Sequence, residues 1–172
     1  MKFNYSVALV LFCVSISSSA ADWFYMSKAD KMTSQKTESA LINSENQLHM
    51  NSPYNKKFNF GRLVVRQHPT EGLNVMVSIQ EGQMLCQASG DCALSIRFDD
   101  DQPIRYIGTK PSDNSSTTIF INDETLFVAR IKKAKRILIQ FNAYENGSPV
   151  LEFSTPISLV WPPNKKQLTD IK

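Results

Sequence analysis

Short stretches in which hydrophobic and polar residues alternate recur through most of the chain. Residues 73–80 show the pattern, since Val75 and Val77 fall on one side of an extended chain and Asn74 and Ser78 on the other. A period of two is typical of a β-strand with one buried face. The same pattern, or a comparable apolar run, predicts further strands at 37–43, 58–67, 92–98, 103–108, 117–122, 137–143 and 151–153.

Turn-forming residues separate these segments. Asn146-Gly147 is a strong hairpin signal, because both residues tolerate the positive φ angles of a tight two-residue turn. Prolines, glycines and aspartates form further turns at 68–72, 81–82 and 111–114. Strands and turns at this spacing predict an all-β domain, a mainly antiparallel β-sandwich or barrel-like fold.

One segment departs from the β pattern. Its apolar residues recur at helical spacing, Asn122 is a candidate N-cap, and acidic residues follow it. Lysines gather at the other end, from Lys132 to Lys135, and this charge arrangement complements a helix dipole. We therefore expect one short helix near residues 123–134.

The N-terminus has the features of an export signal. Lys2 supplies a positive charge, residues 7–16 form an apolar run of about ten residues, and small residues follow. This run is too short to span a membrane, which needs about 20 apolar residues. We predict a signal peptide at residues 1–20, cleaved after Ala20 or Ala21, and no membrane span after cleavage. An uncleaved anchor is the alternative.

The remaining chain is expected to form one domain. Residues 21–161 are predicted to be a single β-rich domain, and residues 162–172 a polar C-terminal tail, because two prolines and mostly polar residues follow Trp161. Cys13 would leave with the signal. Lipid attachment there is disfavoured because Phe12 stands where a small residue is required.

Signal cleavage would leave two cysteines, Cys86 and Cys92. An even count in an exported chain favours a disulfide, which we place in the bacterial periplasm or outside the cell. A metal site is the alternative, but it would need four ligands, and only His49 and His68 are available as histidine partners. We predict the disulfide and no cofactor or metal.

Charge and motifs argue against several functional classes. The 172 residues contain 19 Lys and Arg against 16 Asp and Glu, a net charge of +3, which does not suggest a nucleic-acid partner. No nucleophile motif, Walker loop or metalloprotease motif is present, so we expect no enzyme activity. The acidic run Asp99–Asp101 is interpreted as a solvated turn, with a weak calcium site as the alternative.

Aromatic residues are the best candidates for recognition. Tyr and Trp are enriched at protein interfaces because they combine a large apolar body with a polar tip. Core packing is the alternative for each of them. The candidate interaction residues are Trp23, Tyr25, Tyr54, Tyr106, Tyr144 and Trp161.

Several short motifs occur in order along the chain. They are Trp23 with Asp30-Lys31-Met32, Pro53-Tyr54, Gly82-Gln83-Met84-Leu85-Cys86, Cys92, Arg97-Phe98-Asp99-Asp100, Ser115-Ser116 with Ile119-Phe120-Ile121, Lys133-Ala134-Lys135 and Trp161. On these residues the chain resembles a family of uncharacterised exported bacterial proteins. The resemblance implies export and a β-rich domain with a short disulfide, and it implies no activity or catalytic residue. Residues 55–57 depart from the family, which often has a glycine there.

We therefore expect an exported, non-catalytic binding module of the bacterial envelope. Its partner would be an envelope protein or an incoming protein, and an inhibitor or immunity-type protein is one version of this function. The alternatives are a cell-wall hydrolase and a structural accessory component of a secretion or conjugation apparatus.

Overall fold

The computed structural model describes residues 22–55 and 57–171, and ten strands and one helix lie in this part of the chain. The predicted signal peptide and Cys13 lie outside it. The elements are β1 (Phe24–Ala29), β2 (Lys36–Gln47), β3 (Phe60–His68), β4 (Gly72–Ile79), β5 (Asp91–Phe98), β6 (Ile104–Thr109), β7 (Thr118–Ile121), α1 (Glu124–Ile131), β8 (Arg136–Phe141), β9 (Val150–Ser154) and β10 (Thr169–Ile171). The prediction of an all-β fold with one short helix is confirmed.

The strands form one sheet in the order β10-β1-β2-β3-β4-β7-β6-β5-β8-β9. All neighbouring strands are antiparallel except β1 and β10, which pair in parallel through residues Met26–Lys28. The C-terminal segment 162–172, predicted to be a polar tail, thus includes a strand at one edge of the sheet. All three residues of β10 are exposed.

The hairpin predicted at Asn146-Gly147 connects β8 to β9. Ala143 donates its N–H to the carbonyl of Gly147, and Gly147 has a φ of 63°, which glycine adopts without a steric penalty. The turn places Leu151 opposite Ile139 and Phe153 opposite Ile137 on the buried side of the sheet.

The buried side of the sheet forms the core. Each strand from β3 to β9 contributes alternate apolar side chains, and the largest fully buried ones include Leu63, Ile96, Ile139 and Phe153. The sheet curls until the edge strand β9 approaches β2. There the Asn46 amide donates to the carbonyl of Val150 at 2.8 Å and accepts the N–H of Glu152 at 2.9 Å. A side chain thereby takes the place of a strand partner, since the two bonds satisfy backbone groups of an open edge.

Helix α1 lies against one end of the curled sheet. It buries Phe127, Val128 and Ile131, and the Phe127 ring makes edge contacts with Phe98 and Tyr106. The expected N-cap at Asn122 is wrong by one residue. Asp123 occupies that position in a left-handed conformation, while the Asn122 N–H donates to the carbonyl of Ile107 and extends the pairing of β7 with β6.

The Cys86–Cys92 disulfide is present, with the two Cα atoms 4.2 Å apart. Cys92 is fully buried on β5, whereas Cys86 lies in the irregular segment before it. The bridge therefore closes a loop ahead of β5 and does not link two paired strands. Two backbone bonds between Gln87 and residues 90–91 hold the enclosed turn.

Candidate functional site

The outward side of the sheet carries a row of apolar side chains on five neighbouring strands. Each is the direct partner of the next in the register of the sheet, so neighbouring Cβ atoms are about 5 Å apart. We call this set the apolar row; it consists of Phe24 on β1, Leu41 on β2, Val64 on β3, Met76 on β4 and Phe120 on β7.

The apolar row does not belong to the core. Phe24 is 46 % exposed and the other four side chains are partly exposed, and none of the five belongs to the buried cluster or packs against it. Strand spacing makes the row about 19 Å long, since it spans four intervals of about 4.8 Å. The row is therefore long enough to contact several turns of a helix, or several residues of a strand, of another protein.

Polar residues border most of the apolar row on both sides, with Met26 on β1 as the apolar exception. On one side Asn43, Arg62, Ser78 and Thr118 are direct partners of one another. On the other side Met26 faces Ser39, Ser39 faces Arg66, and Arg66 faces Asn74. An apolar centre with a polar margin is the composition found at protein–protein interfaces.

Two arginines of β3 flank the centre of the row. The Arg66 guanidinium is bound by Asn74 and by Glu71, both at 2.6 Å, and lies 5.9 Å from the centre of the Phe120 ring. Arg62 donates its Nε to the side-chain oxygen of Asn43 at 3.0 Å. Among residues 22–55 and 57–171, no carboxylate pairs with Arg62.

Sequence reasoning missed the apolar row. Its residues stand on the polar side of their strands, where the expected alternation calls for a polar residue. One feature of the sequence could have indicated the row: in several strands an apolar residue has polar residues two positions before and after it. Val64 lies between Arg62 and Arg66 in this way, and Met76 lies between Asn74 and Ser78. The pattern of one strand cannot show that such residues lie opposite one another, because the register is set by the assembled sheet.

The other part of the outward surface contains a shallow depression that we call the polar hollow. It has a volume of about 260 Å³ and lies over β5, β6 and β8, where Ser95 faces Arg105 on one side and Gln140 on the other. It is lined by the polar side chains of Ser95, Arg105, Gln140 and Asn142 together with Ala93, Leu94 and Phe141. Leu94 and Phe141 belong to the core, so no row of outward apolar side chains crosses the hollow.

Most of the predicted aromatic recognition residues are buried. Trp23, Tyr25, Tyr106 and Trp161 are each between 5 % and 8 % exposed and belong to the core cluster. Their large apolar rings fill the interior and the ends of the curled sheet, which leaves little surface for a partner. The core interpretation therefore applies to these four.

Burial also raises the pKa of two of these phenols, because a charged phenolate would lose its hydration. For Tyr25, the N–H of Val160 donates to the hydroxyl at 2.9 Å and opposes part of the effect. For Tyr106, the positive charge of Arg130 opposes it and the negative charge of Asp123 adds to it. Both groups are neutral structural side chains at ordinary pH.

Tyr54 and Tyr144 are the more accessible of the six. Tyr54 is partly buried, and its hydroxyl accepts a bond from the Gln83 amide at 2.7 Å. Tyr144 is exposed, and a hydrogen bond with the Glu145 carboxylate, together with the charge of that group, raises its pKa. Neither tyrosine belongs to the apolar row.

The two histidines lie apart. His49 is exposed, while the Nδ1 of His68 contacts the Thr70 hydroxyl at 3.0 Å and accepts the N–H of Glu71 at 3.3 Å. Within the described residues neither histidine forms a hydrogen bond or an ion pair with a serine or a carboxylate side chain. The ring of His68 organises the turn between β3 and β4.

The acidic run Asp99–Asp101 builds a turn. One oxygen of the Asp99 carboxylate accepts the N–H groups of Lys135 and Arg136, at 2.7 and 2.9 Å. Asp100 contacts the guanidinium groups of Arg97 and Arg136. In the described part of the chain, no three His, Cys, Asp or Glu residues are grouped so that they could hold a metal ion.

Comparison with known proteins gave no relationship. No protein-family model matches the chain, and neither a search of curated proteins nor one of solved structures found a match. Among the described residues, no helix combines the length and the apolar character needed to cross a membrane.

Proposed function

We propose that this chain is an exported, non-catalytic binding module that engages a protein partner through the apolar row. The observation that carries the proposal is the direct pairing of five apolar side chains across neighbouring strands on the outward side of the sheet. Folding does not require them there, since the core is complete on the opposite side.

The apolar row has the arrangement of an interface centre. Its middle residues, Val64 and Met76, are surrounded on the sheet by further members of the row and by polar side chains. Burying such a side chain completely contributes about 1.5–3 kcal/mol relative to full exposure. Because these side chains are already partly buried, the gain on binding is smaller for each one and depends on several acting together.

Export supports the choice of partner. The predicted signal peptide and the Cys86–Cys92 disulfide fit an oxidising compartment, which we propose is the periplasm or the exterior of a bacterium. The partner would then be an envelope protein or an incoming protein. An inhibitor or immunity-type protein is one form of this function.

The proposal is tested with a double variant of the row, Val64→Ser with Met76→Ser. The exported protein is immobilised, partners are captured from envelope extract, and the affinity of the identified partner is then measured. Loss of two central side chains is expected to weaken binding at least 30-fold, in the range found for residues that dominate interfaces.

The matched control is Leu138→Ser, which alters a partly exposed apolar residue on the outward side of β8, away from the row. Circular dichroism and thermal unfolding verify that each variant is folded. Equal affinity of the folded double variant and the wild type for the captured partner would refute the proposed function.

A further inference from the structure

The residues around the apolar row also define the chemistry of its partner, if the proposed function holds. We infer that the row accepts an amphipathic α-helix that lies across the strands and presents a carboxylate to Arg62. The inference rests on three features: the spacing of the row, the width of the space between Arg62 and Arg66, and the charge of Arg62.

The spacing of the row fits a helix better than an extended chain. Neighbouring members of the row are about 4.8 Å apart. Residues three or four apart on one helix face advance by about 4.5–6 Å along its axis. Same-face residues of a strand are about 6.8 Å apart, so an extended peptide would lose register with the row after two or three residues.

The length of the row sets the length of the helix. Five apolar positions at i, i+3, i+7, i+10 and i+14 extend over about 21 Å, since each residue rises 1.5 Å. The row is about 19 Å long. A helix of about four turns would therefore contact all five members.

The two arginines define the width of the surface. Arg62 and Arg66 lie four residues apart on β3, one on each side of Val64. Four residues of an antiparallel strand extend over about 13–14 Å, whereas a helix with its side chains is about 10–12 Å wide. The space between the two arginines thus accommodates one helix that runs along the row.

The two borders of the apolar row differ in charge, because only one of the two arginines is paired with a carboxylate of this chain. Arg66 is already paired with Glu71, so its charge is compensated within the chain. Arg62 is exposed, and its Nε bond to the Asn43 side chain fixes the guanidinium while leaving the terminal nitrogens available. A carboxylate could accept two parallel bonds from such a group. The helix is therefore expected to carry Asp or Glu on the flank that meets Arg62, near its middle.

A second copy of this chain fits the surface less well. A two-fold axis parallel to the strands would place Arg62 against Arg62 of the other copy. An axis along the row would place Arg62 against Arg66. In the first arrangement two uncompensated cations meet at the centre of the interface, which is destabilising. In the second, Arg62 meets the guanidinium of Arg66, whose carboxylate partner Glu71 is already engaged.

The test uses two designed helical peptides of 18 residues. Both carry leucine at the five positions described above. One has glutamate and the other lysine on one flank of its middle turns. Their dissociation constants with the exported protein are measured by fluorescence anisotropy at low salt. The acidic peptide is expected to bind about tenfold more tightly than the basic one, and less tightly as salt is added.

Two charge variants complete the test. Arg62→Glu is expected to reverse the preference, so that the basic peptide binds more tightly. Arg105→Glu makes the same change at an exposed arginine of β6, in the polar hollow, and should leave the preference intact. Val64→Ser with Met76→Ser should weaken both peptides.

The inference is overturned if the acidic peptide does not bind at 1 mM, if both peptides bind equally, or if Arg62→Glu leaves the preference unchanged. Two further outcomes would overturn it. One is that the protein binds anionic phospholipid vesicles in preference to the acidic peptide, and that the Val64→Ser with Met76→Ser variant loses this binding. The other is that the protein forms a dimer at micromolar concentration that the same variant abolishes. The proposed function is judged separately, by the natural partner's affinity for the row variants. It survives a failure with the peptides if those variants still lose that partner.

Discussion

The outward side of the sheet differs between its two parts, although the buried side follows one plan throughout. On β1, β2, β3, β4 and β7, the central outward residues are apolar and face one another. On β5, β6, β8 and β9, outward apolar residues face mostly polar partners: Leu138 lies between Arg97 and Glu152, and Val150 faces Gln140.

This contrast distinguishes the apolar residues that the core requires from outward apolar residues that the core does not require. A strand needs apolar residues only on its buried side to hold the core, and in the second part of the sheet the outward apolar residues form no continuous row. Cross-strand apolar pairs on the outward side add about 0.2–1 kcal/mol each, which is small beside the burial of a core residue. Stability alone therefore gives little reason for the continuity of the row, which agrees with the binding function that we propose.

The largest expected change in stability comes from substitutions on the buried side of the sheet, where its two parts should respond alike. Leu63→Ala on β3 and Ile139→Ala on β8 each remove most of a fully buried side chain. Each should lower the free energy of unfolding by about 2–5 kcal/mol, measured by chemical denaturation.

The outward neighbours Val64→Ser and Leu138→Ser serve as the matched controls and should each cost less than about 1 kcal/mol. A loss at Val64 comparable to that at Leu63 would show that the apolar row is a second core, and the comparison of the two surfaces would fail.

Next in size is the disulfide, which anchors the segment before β5 to that strand, in the second part of the sheet. Replacement of both Cys86 and Cys92 by alanine should lower the stability by about 2.4 kcal/mol, since the bridge closes a short loop in the unfolded chain. Thermal unfolding with and without reductant measures the effect, and mass spectrometry of the non-reduced wild-type protein after signal cleavage should find no free thiol. Because the bridge is remote from the row in the sheet order, partner affinity should stay within about twofold.

A somewhat smaller effect is expected where β9 approaches β2. Asn46→Ala removes both side-chain bonds to β9 and should cost about 1–2 kcal/mol. Hydrogen exchange of the Glu152 amide should accelerate, because that N–H loses its acceptor. Glu45→Ala, at the exposed neighbouring position, is the control. Unchanged exchange at Glu152 in Asn46→Ala would mean that the side chain does not hold the two strands together.

The smallest effect depends on pH and lies in the turn between β1 and β2. Hydrogen bonds from Thr33 and Met32 hold the pKa of Asp30 below its ordinary value. Because the folded pKa is the lower one, this contribution to stability is present above the ordinary pKa of the carboxyl and is lost as the pH falls through the folded pKa.

Asp30→Asn should therefore flatten the acid limb of the stability profile, followed by denaturation between pH 6 and about pH 3. Asp101→Asn, in an exposed turn of the second part, is the comparison. Equal acid limbs in the wild type and Asp30→Asn would contradict the assignment.

The sequence by itself determined strands β2 to β9, the helix and the bridge, whereas β1 and β10 emerged only in the folded structure. Alternation with a period of two marks strands locally, and Asn146-Gly147 marks the connection between β8 and β9, although the positive φ angles of that turn fall at Glu145 and Gly147. Acidic and basic residues at opposite ends marked α1, although its first residue depended on backbone geometry at Asp123. The pairing of Cys86 with Cys92 required only that two cysteines lie close in the chain.

Tertiary structure alone decided which side chains face each other. The aromatic residues favoured by composition are mostly core, because burial depends on how the sheet curls and on what covers its ends. The apolar row exists only through the register of five strands, in an order that departs from the chain where β7 follows β4. Local pattern fixes the side of a strand on which a residue stands. Its neighbour on the next strand is set by long-range pairing, which no single segment of sequence contains.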